Sequence, residues 1–425
     1  MAKKNALLDD LADRGLIHDL TDRDALAERL AAGPVTLYCG FDPTADSLHV
    51  GSLLGLVTLR RFIDAGHRAL VLVGGATGMI GDPSGRSSER NLLDPATLAR
   101  NVAGLSLQVG RILGDDDGWE LVDNADWTAG VGLLEFLRDV GKHVTVNQML
   151  ARESVRARLG SENGISFTEF TYQLLQANDF WWLSEHRGCE LQVGGSDQWG
   201  NLVAGVDLIR RRGGGSVHAL TWPLLLRADG TKFGKSASGD NVWLDAQRTS
   251  PYRFYQFFMH AEDADVERLL LRLTLLDVAE VAALSSAHRA APHERVAQRR
   301  LAYEMTSLVH GVEAADQARQ ASEVLFGGTV TGAPVAVFEM LADEVQTWRV
   351  ARSEVVDGLS MADVLVHSGL ATSKKDARRT LEQGGGYCND ARIGVDSTLA
   401  ESDLLHDRFA LVRRGRKAYA LVVAA

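Results

Sequence analysis

Three groups of residues in this chain have the types and spacing to do chemistry. In Tyr38-Cys39-Gly40-Phe41-Asp42-Pro43-Thr44-Ala45-Asp46-Ser47-Leu48-His49-Val50-Gly51-Ser52, Thr44 and His49 flank an expected helix start, where free backbone N–H groups attract anions. Lys232 and Lys235 lie in the glycine-bearing loop Lys232-Phe233-Gly234-Lys235-Ser236, either simply exposed or, if the loop moves, able to close over a polyphosphate. Tyr172, Gln176 and Asp179 fall at i, i+4 and i+7 of a helical stretch and share one face. A stripe of phenol, amide and carboxylate is either a solvated face or a buried one that needs polar partners, a ligand among them. Its apolar neighbours, Phe170, Leu174, Leu175 and Phe180-Trp181-Trp182-Leu183, favour the buried arrangement.

The elements that must position these groups alternate strand and helix. Residues 35–39 form an apolar run stopped by Gly40 and Pro43; Ser47 is the expected N-cap of a helix over 48–63; residues 68–73 are a second strand. This is a βαβ unit, with parallel strands and a right-handed crossover, and ligands in such sheets bind beyond the carboxyl ends of the strands. The loop from Gly74 to Gly85 places glycines at 75, 78 and 81, which is not G-x-G-x-x-G and disfavours a nicotinamide-type dinucleotide fold. It is either a surface loop or a ligand loop, in which case Asp82 is its facing carboxylate. Further strands are expected at 120–123 and 189–193, with a strand-like run over 217–226. Helices are expected at 131–140, at about 167–183 behind the capping-box sequence Ser166-Phe167-Thr168-Glu169, and at 202–209. Asp197, in Gly194-Gly195-Ser196-Asp197-Gln198-Trp199-Gly200, either caps the last of these or reaches a ligand hydroxyl. The run Gly230 to Ser236 is one residue too short for a phosphate-binding P-loop and follows the βαβ units instead of opening them, so that motif is excluded.

The chain has 425 residues, 24% charged and 45% hydrophobic, which is ordinary for a globular protein and enough for two or three domains. No apolar run is long enough to span a bilayer, and Met1-Ala2-Lys3-Lys4-Asn5 lacks the apolar stretch of a signal peptide. Cys39, Cys189 and Cys388 match no metal-ligand spacing; a reduced, cytoplasmic setting and no protein-held metal are expected. The net charge of −11 argues against nucleic acid on its face. Residues 352–425 differ, with eleven basic and ten acidic residues against 34 and 46 elsewhere. Their basic residues cluster at Lys374, Lys375, Arg378 and Arg379 and again from Arg408 to Lys417, which suggests a nucleic-acid partner held at particular places. Residues from about 250 to 350 read as helical with no convincing strand.

Taken together, these motifs resemble the bacterial-type tyrosyl-tRNA synthetase family of class I aminoacyl-tRNA synthetases, over essentially the whole chain. His49 to Ser52 is similar to the class signature His-Ile-Gly-His, and Lys232 to Ser236 to Lys-Met-Ser-Lys-Ser. The segments Gly74 to Pro83, Ser166 to Asp179 and Gln192 to Asn201 complete an ordered set. Ser52 departs from the second signature histidine, and serine cannot carry charge. The resemblance implies an α/β fold: a Rossmann-like parallel-sheet catalytic domain over 1–230, with an insertion at about 115–165 that makes dimer contacts. An α-helical anticodon-binding domain that begins with the lysine loop (231–350) and a small α+β S4-like RNA-binding domain (351–425) would follow.

The activity implied is ligation of tyrosine to tRNA through tyrosyl-adenylate, with L-tyrosine, ATP carrying Mg²⁺, and tRNA(Tyr) as substrates, no organic cofactor, and a homodimer as the working form. Carried over residue by residue, Thr44, His49, Lys232 and Lys235 would contact the triphosphate. Cys39, Gly40, Asp42, Gly51, Ser52, Gly195, Asp197 and Ser236 would complete the ATP site. Asp82, Tyr172 and Gln176 would hold the tyrosine ammonium, Tyr38 and Asp179 its phenol, with Gln192 and Gln198 nearby. Charge alone adds Arg86, Arg90, Arg210, Arg211, Arg212, Lys374, Lys375, Arg378 and Arg379 as tRNA contacts, although the three arginines could simply offset a helix dipole. A tryptophan enzyme, another nucleotidyltransferase and a catalytically silent RNA-binding homologue are the competing readings.

Overall fold

The computed structural model describes residues 5–82, 93–114, 117–150, 155–156, 159–160, 164–235, 239–326, 328–415 and 418–425. The chain packs as two compact units, Met1–Arg248 with Ala261–Leu301, and Thr249–His260 with Ala302–Ala425.

The first unit is built on a six-stranded sheet of β1 (Asp19–Leu20), β2 (Thr36–Phe41), β3 (Arg68–Val73), β4 (Trp119–Asp123), β5 (Cys189–Gly195) and β6 (His218–Trp222), in the order β1-β6-β5-β2-β3-β4. All neighbours are parallel except β1, which pairs antiparallel with β6. In chain order, the helices among the described residues of its first 248 positions include α1 (Ala6–Asp13), α2 (Arg23–Ala32), α3 (Val50–Asp64), α4 (Pro95–Leu113), α5 (Ala125–Thr128), α6 (Leu133–Asp139), α7 (Val146–Leu150), α8 (Phe167–Arg187) and α9 (Trp199–Arg211). From β2 the chain steps outward to β3 and β4; from β5 it steps the other way to β6. Adjacent β2 and β5 therefore diverge at their carboxyl ends, which is where open α/β sheets form ligand crevices.

Burial explains the strands. Residues 69–73 of β3 are all buried, as expected for a parallel strand covered on both faces. On one side, Tyr38, Leu70, Leu72 and Val122 pack with Phe180 and Leu183 of α8 and Trp127 of α5. Helix α3 starts two residues later than read from the sequence, and its cap is His49, whose side chain accepts from the Gly51 N–H. Ser47 instead donates to the Leu48 carbonyl and accepts from the Asp245 N–H. Strand β2 extends to Phe41, and the run at 217–226 shortens to β6. Between α1 and α2 lies β1, a two-residue edge strand too short for periodicity to reveal.

The second unit contains a five-stranded sheet of β7 (Gln346–Val350), β9 (Gly386–Cys388), β10 (Ala391–Arg392), β12 (Phe409–Arg414) and β13 (Ala418–Ala424), in the order β10-β9-β12-β13-β7, plus a two-stranded pair of β8 (Leu359–Ser360) and β11 (Thr398–Leu399). β7 corrects the reading of 250–350 as free of strands: it pairs parallel with β13, about seventy residues on, a partner no local pattern reports. One core joins Tyr252, Val324, Phe338 and Leu341 of the helices to Phe409, Leu411, Leu421 and Val423 of the sheet. The compact units thus divide the chain differently from the boundaries read at 230 and 350.

Candidate active site

The end of β2 turns through Gly40, Phe41, Asp42 and Pro43 into the start of α3. His49 Nδ1 accepts the Gly51 N–H at 3.0 Å, so the neutral ring carries its proton on Nε2. Residues after the lysine loop pack against this helix start. The Val50 N–H donates to the Val242 carbonyl at 2.9 Å, Leu244 N–H to Leu48 at 2.9 Å, and Val242 N–H to Gly234 at 3.0 Å. Trp243 meets the imidazole edge-on at 6.2 Å between ring centroids. Gly234 has φ +115, a conformation L side chains rarely adopt, and a Cβ there would stand 3.4 Å from the Gly51 nitrogen. Backbone geometry therefore ties the loop bearing Lys232 and Lys235 to the helix that His49 caps. Both lysines are exposed, and Lys232 lies close enough to Asp197 for its charge to act on that carboxyl.

A cavity of about 620 Å³ opens between the carboxyl ends of β2 and β5. Its wall includes Tyr38, Cys39, Gly40, Asp42, Thr44, His49, Gly51, Ser52, Asp82, Tyr172, Gln176, Asp179, Gln192, Gly195, Asp197 and Gln198, sixteen of the site residues read from the sequence. Lys232 and Lys235 are not in that wall; Asn241, paired with Lys235 through a backbone bridge, is. Ser236, Arg86 and Arg90 lie outside the described residues. Asp197 does not cap α9, whose cap position is Gln198 with no side-chain bond. Burial, then the Asp82 charge, pushes the Asp197 carboxyl above its ordinary range.

The deep end of the cavity is polar and buried. Asp179 is 2% exposed and accepts from Trp127 Nε1 at 2.8 Å and Asn124 Nδ2 at 3.0 Å. Burial pushes its carboxyl up to about 7 despite those two donors, and the Asp42 and Asp123 charges add to the rise. The Tyr38 hydroxyl, pushed up by burial and then by the Asp179 charge, has no hydrogen-bond partner among the described residues; nor do Gln176 Oε1 and Gln192 Oε1. Buried polar atoms without partners are costly, so three residues bearing them in the wall of one cavity fit a polar ligand. Nearer the middle, Gln198 Nε2 donates to Asp82 at 2.7 Å, and the Tyr172 hydroxyl donates to Asp42 at 3.2 Å. Burial pushes the Cys39 thiol up to about 12, so it is no nucleophile at neutral pH.

Sequence reasoning missed the residues that hold this end together. The glycine loop after β3 is clasped from β4: the Gly75 N–H donates to Asp123 at 3.0 Å and the Ala76 N–H to Asn124 at 2.8 Å. A Cβ on Gly75 would collide with the Asp123 carboxylate. Asn124 Nδ2 also reaches Thr77 Oγ1 at 3.0 Å, joining the loop to Asp179. Asp123 ends the parallel strand β4 and Asn124 directly follows it, and that position was the available signal.

The residues chosen on charge are largely engaged. Arg210 pairs with Asp207 at 2.8 Å, Arg211 donates to the His143 carbonyl at 2.6 Å, and the Arg212 guanidinium lies 3.4 Å from the Trp181 ring centroid. In the second unit Lys374 pairs with Asp363 at 2.6 Å and Arg379 with Asp376 at 2.9 Å. Lys375 and Arg378 are exposed and have no ion-pair partner among the described residues.

A helix capped at its N-terminus by His49, a lysine loop tethered to it and a buried carboxylate at a switch-point cavity make up a class I synthetase-type arrangement. Residues 30–327 match the family model for class I tRNA synthetases (W and Y), and residues 338–422 that for the SYY-like C-terminal domain of tyrosine–tRNA ligases. The chain belongs to the class I tRNA synthetase family. It is 53% identical over 421 residues to a tyrosine–tRNA ligase of Opitutus terrae, covering 98% of this chain and 99% of that one. To the tyrosine–tRNA ligase of Roseiflexus castenholzii it is 48% identical with the same coverage. Among solved structures, a C-terminally truncated mitochondrial tyrosyl-tRNA synthetase of Aspergillus nidulans superposes with a TM-score of 0.69 at 34% identity, covering 76% of this chain and 95% of that one.

Proposed function

We propose that this protein is a tyrosine–tRNA ligase. A tyrosine carboxylate oxygen attacks the α-phosphorus of ATP; the bond to the bridging oxygen breaks, and pyrophosphate leaves with the electron pair. A ribose hydroxyl at the 3′ end of tRNA(Tyr) then attacks the tyrosyl carbonyl, loses its proton and displaces AMP. The first nucleophile is already ionised, so the chain's task is to position it and to stabilise charge on the leaving group.

The observation that carries the proposal is the buried Tyr38 hydroxyl, without a partner among the described residues, near the buried Asp179 carboxyl in the wall of the cavity that His49 also lines. A phenol donating to Asp179 and accepting from Tyr38 would satisfy both. Phenylalanine would leave the Tyr38 hydroxyl unpaired and give Asp179 no further donor in a buried site, which penalises it. Asp82, Tyr172 and Gln176 would receive the ammonium, with Gln198 beside the reacting carboxylate and Gln192 behind it. His49 Nε2–H and Thr44 would meet the phosphates, with Gly40, Asp42, Gly51 and Ser52 along the same turn, and Cys39, Gly195 and Asp197 towards the ribose. Lys232 and Lys235 would close on the pyrophosphate, together with the Mg²⁺ that ATP brings.

No helix among the described residues is long and apolar enough to cross a membrane, in keeping with a cytoplasmic enzyme. Leu133 and Leu134 of α6 and Phe167 at the start of α8 are 73%, 81% and 76% exposed, which supports burial against a second copy in a homodimer. Lys375 and Arg378 are the tail residues best placed to meet tRNA phosphates. ATP–pyrophosphate exchange with each of the twenty amino acids tests the proposal. Exchange stimulated by tyrosine alone is expected; stimulation by tryptophan instead, or by none, overturns it.

A further inference from the structure

Asp179, Trp182 and His186 follow one another along a single face of α8, at spacings of three and four residues. Trp127, from the short helix α5, lies across that face. Its indole N–H donates to Asp179 at 2.8 Å, and its flat side stacks on Trp182 with centroids 4.4 Å apart and planes 10° from parallel. The far side of Trp182 is stacked on the His186 ring at 4.4 Å and 14°, and His186 Nδ1 lies 2.9 Å from the Trp182 carbonyl. Three rings thus form a column running from the protein surface to the carboxylate at the closed end of the cavity.

We infer that Trp182 is a positioning residue for tyrosine recognition: its ring face sets the plane of Trp127, and so aims the indole N–H that holds Asp179 towards the phenol. The inference rests on the proposed tyrosine activation and adds a residue that lies outside the cavity wall. Core packing buries the Trp127 ring, and the stacked face of Trp182 fixes the plane in which that ring lies. Without the stack, Asp179 keeps its Asn124 bond but loses the fixed direction of its second donor. Among the described residues, no hydrogen bond or ring contact links the column to His49, Thr44, Lys232 or Lys235, so ATP binding is not involved.

The test compares full-length wild type, Trp182→Ala and Trp182→Phe in ATP–pyrophosphate exchange, with tyrosine and ATP varied separately and across pH. Trp182→Ala is expected to raise the tyrosine KM about three- to tenfold, the scale of one aromatic stack, and leave the ATP KM unchanged. The pH below which tyrosine kcat/KM falls should also move upward, because a carboxylate with a loosened donor ionises less readily. The titratable groups facing Asp179 are Tyr38 and Asp42 from the β2 side, Asp123 from β4 and Tyr172 from α8 itself, and all are unaltered in both variants. Trp182→Phe, which keeps a stacking face, should restore both quantities. If Trp182→Ala does not fold, Trp182→Leu keeps apolar volume without a ring face and serves in its place. An unchanged tyrosine KM and pH limb, or a loss shared equally by tyrosine and ATP that phenylalanine does not rescue, overturns the positioning role alone. Absence of tyrosine-dependent exchange in wild type overturns it together with the proposed function.

Discussion

Tyr38→Phe separates recognition from folding because the two should move in opposite directions. The Tyr38 ring is 1% exposed and packs at 5.4 Å from Phe180, a contact that phenylalanine keeps. Its hydroxyl has no partner among the described residues, and a buried unpaired hydroxyl costs about 1–3 kcal/mol. The oxygen faces a cavity, so relief at the lower end, about 1 kcal/mol, is expected on removing it, equivalent to a rise of about 1–2 °C in the melting temperature of the first unit. Tyrosine recognition loses one neutral hydrogen bond of about 0.5–1.5 kcal/mol, or a two- to tenfold fall in kcat/KM for tyrosine. Phenylalanine leaves that hydroxyl unsatisfied in wild type, so its own kcat/KM should not fall and discrimination should narrow. Pyrophosphate exchange with both amino acids, alongside a thermal melt without substrates, reads all three quantities. A variant that melts lower than wild type yet activates tyrosine normally would show that the hydroxyl serves the fold and not the phenol.

Asp179→Asn should cut tyrosine kcat/KM at least 100-fold, because the amide turns an N–H towards either Asn124 or Trp127 and leaves buried donors facing each other; exchange kinetics with unaltered circular dichroism check this. The Asp179 carboxyl, pushed up to about 7 by burial, ionises less readily folded than unfolded. The folded state then binds the extra proton between pH 4 and 7, so stability from this group is greatest below the ordinary carboxylate range and falls as pH rises through about 7. Wild type should therefore lose melting temperature relative to Asp179→Asn over that interval, while tyrosine activation, which needs the carboxylate, rises over the same interval. His49→Asn should keep the cap of α3 and its stability but slow adenylate formation, whereas His49→Ala should also lose about 1 kcal/mol; melts and single-turnover exchange distinguish them. Lys232→Ala and Lys235→Ala should lower kcat for exchange with little change in tyrosine affinity measured by equilibrium dialysis.

What was legible in the chain is what local spacing encodes. Alternating strands and helices set the parallel sheet, because each apolar run of five or six residues must be covered on both faces. The shared face of Tyr172, Gln176 and Asp179 followed from helical periodicity alone, and the cavity wall includes all three. Strand β3 matched its run because nothing but burial determines its ends. Where two local signals competed, the structure chose: Ser47 and His49 are both able to cap, and Ser47 was drawn off by Asp245, a residue far along the chain. β1 and β7 were invisible for a related reason, since each exists only through a partner strand distant in sequence. The same limit hid Asn124 and Trp127. Their roles come from bonds to a carboxylate more than fifty residues away. The sequence alone determined which groups could recognise a phenol and a phosphate. Only tertiary packing decided which of them would be dehydrated and held, because the energy of a buried carboxylate depends on neighbours that the chain brings from elsewhere.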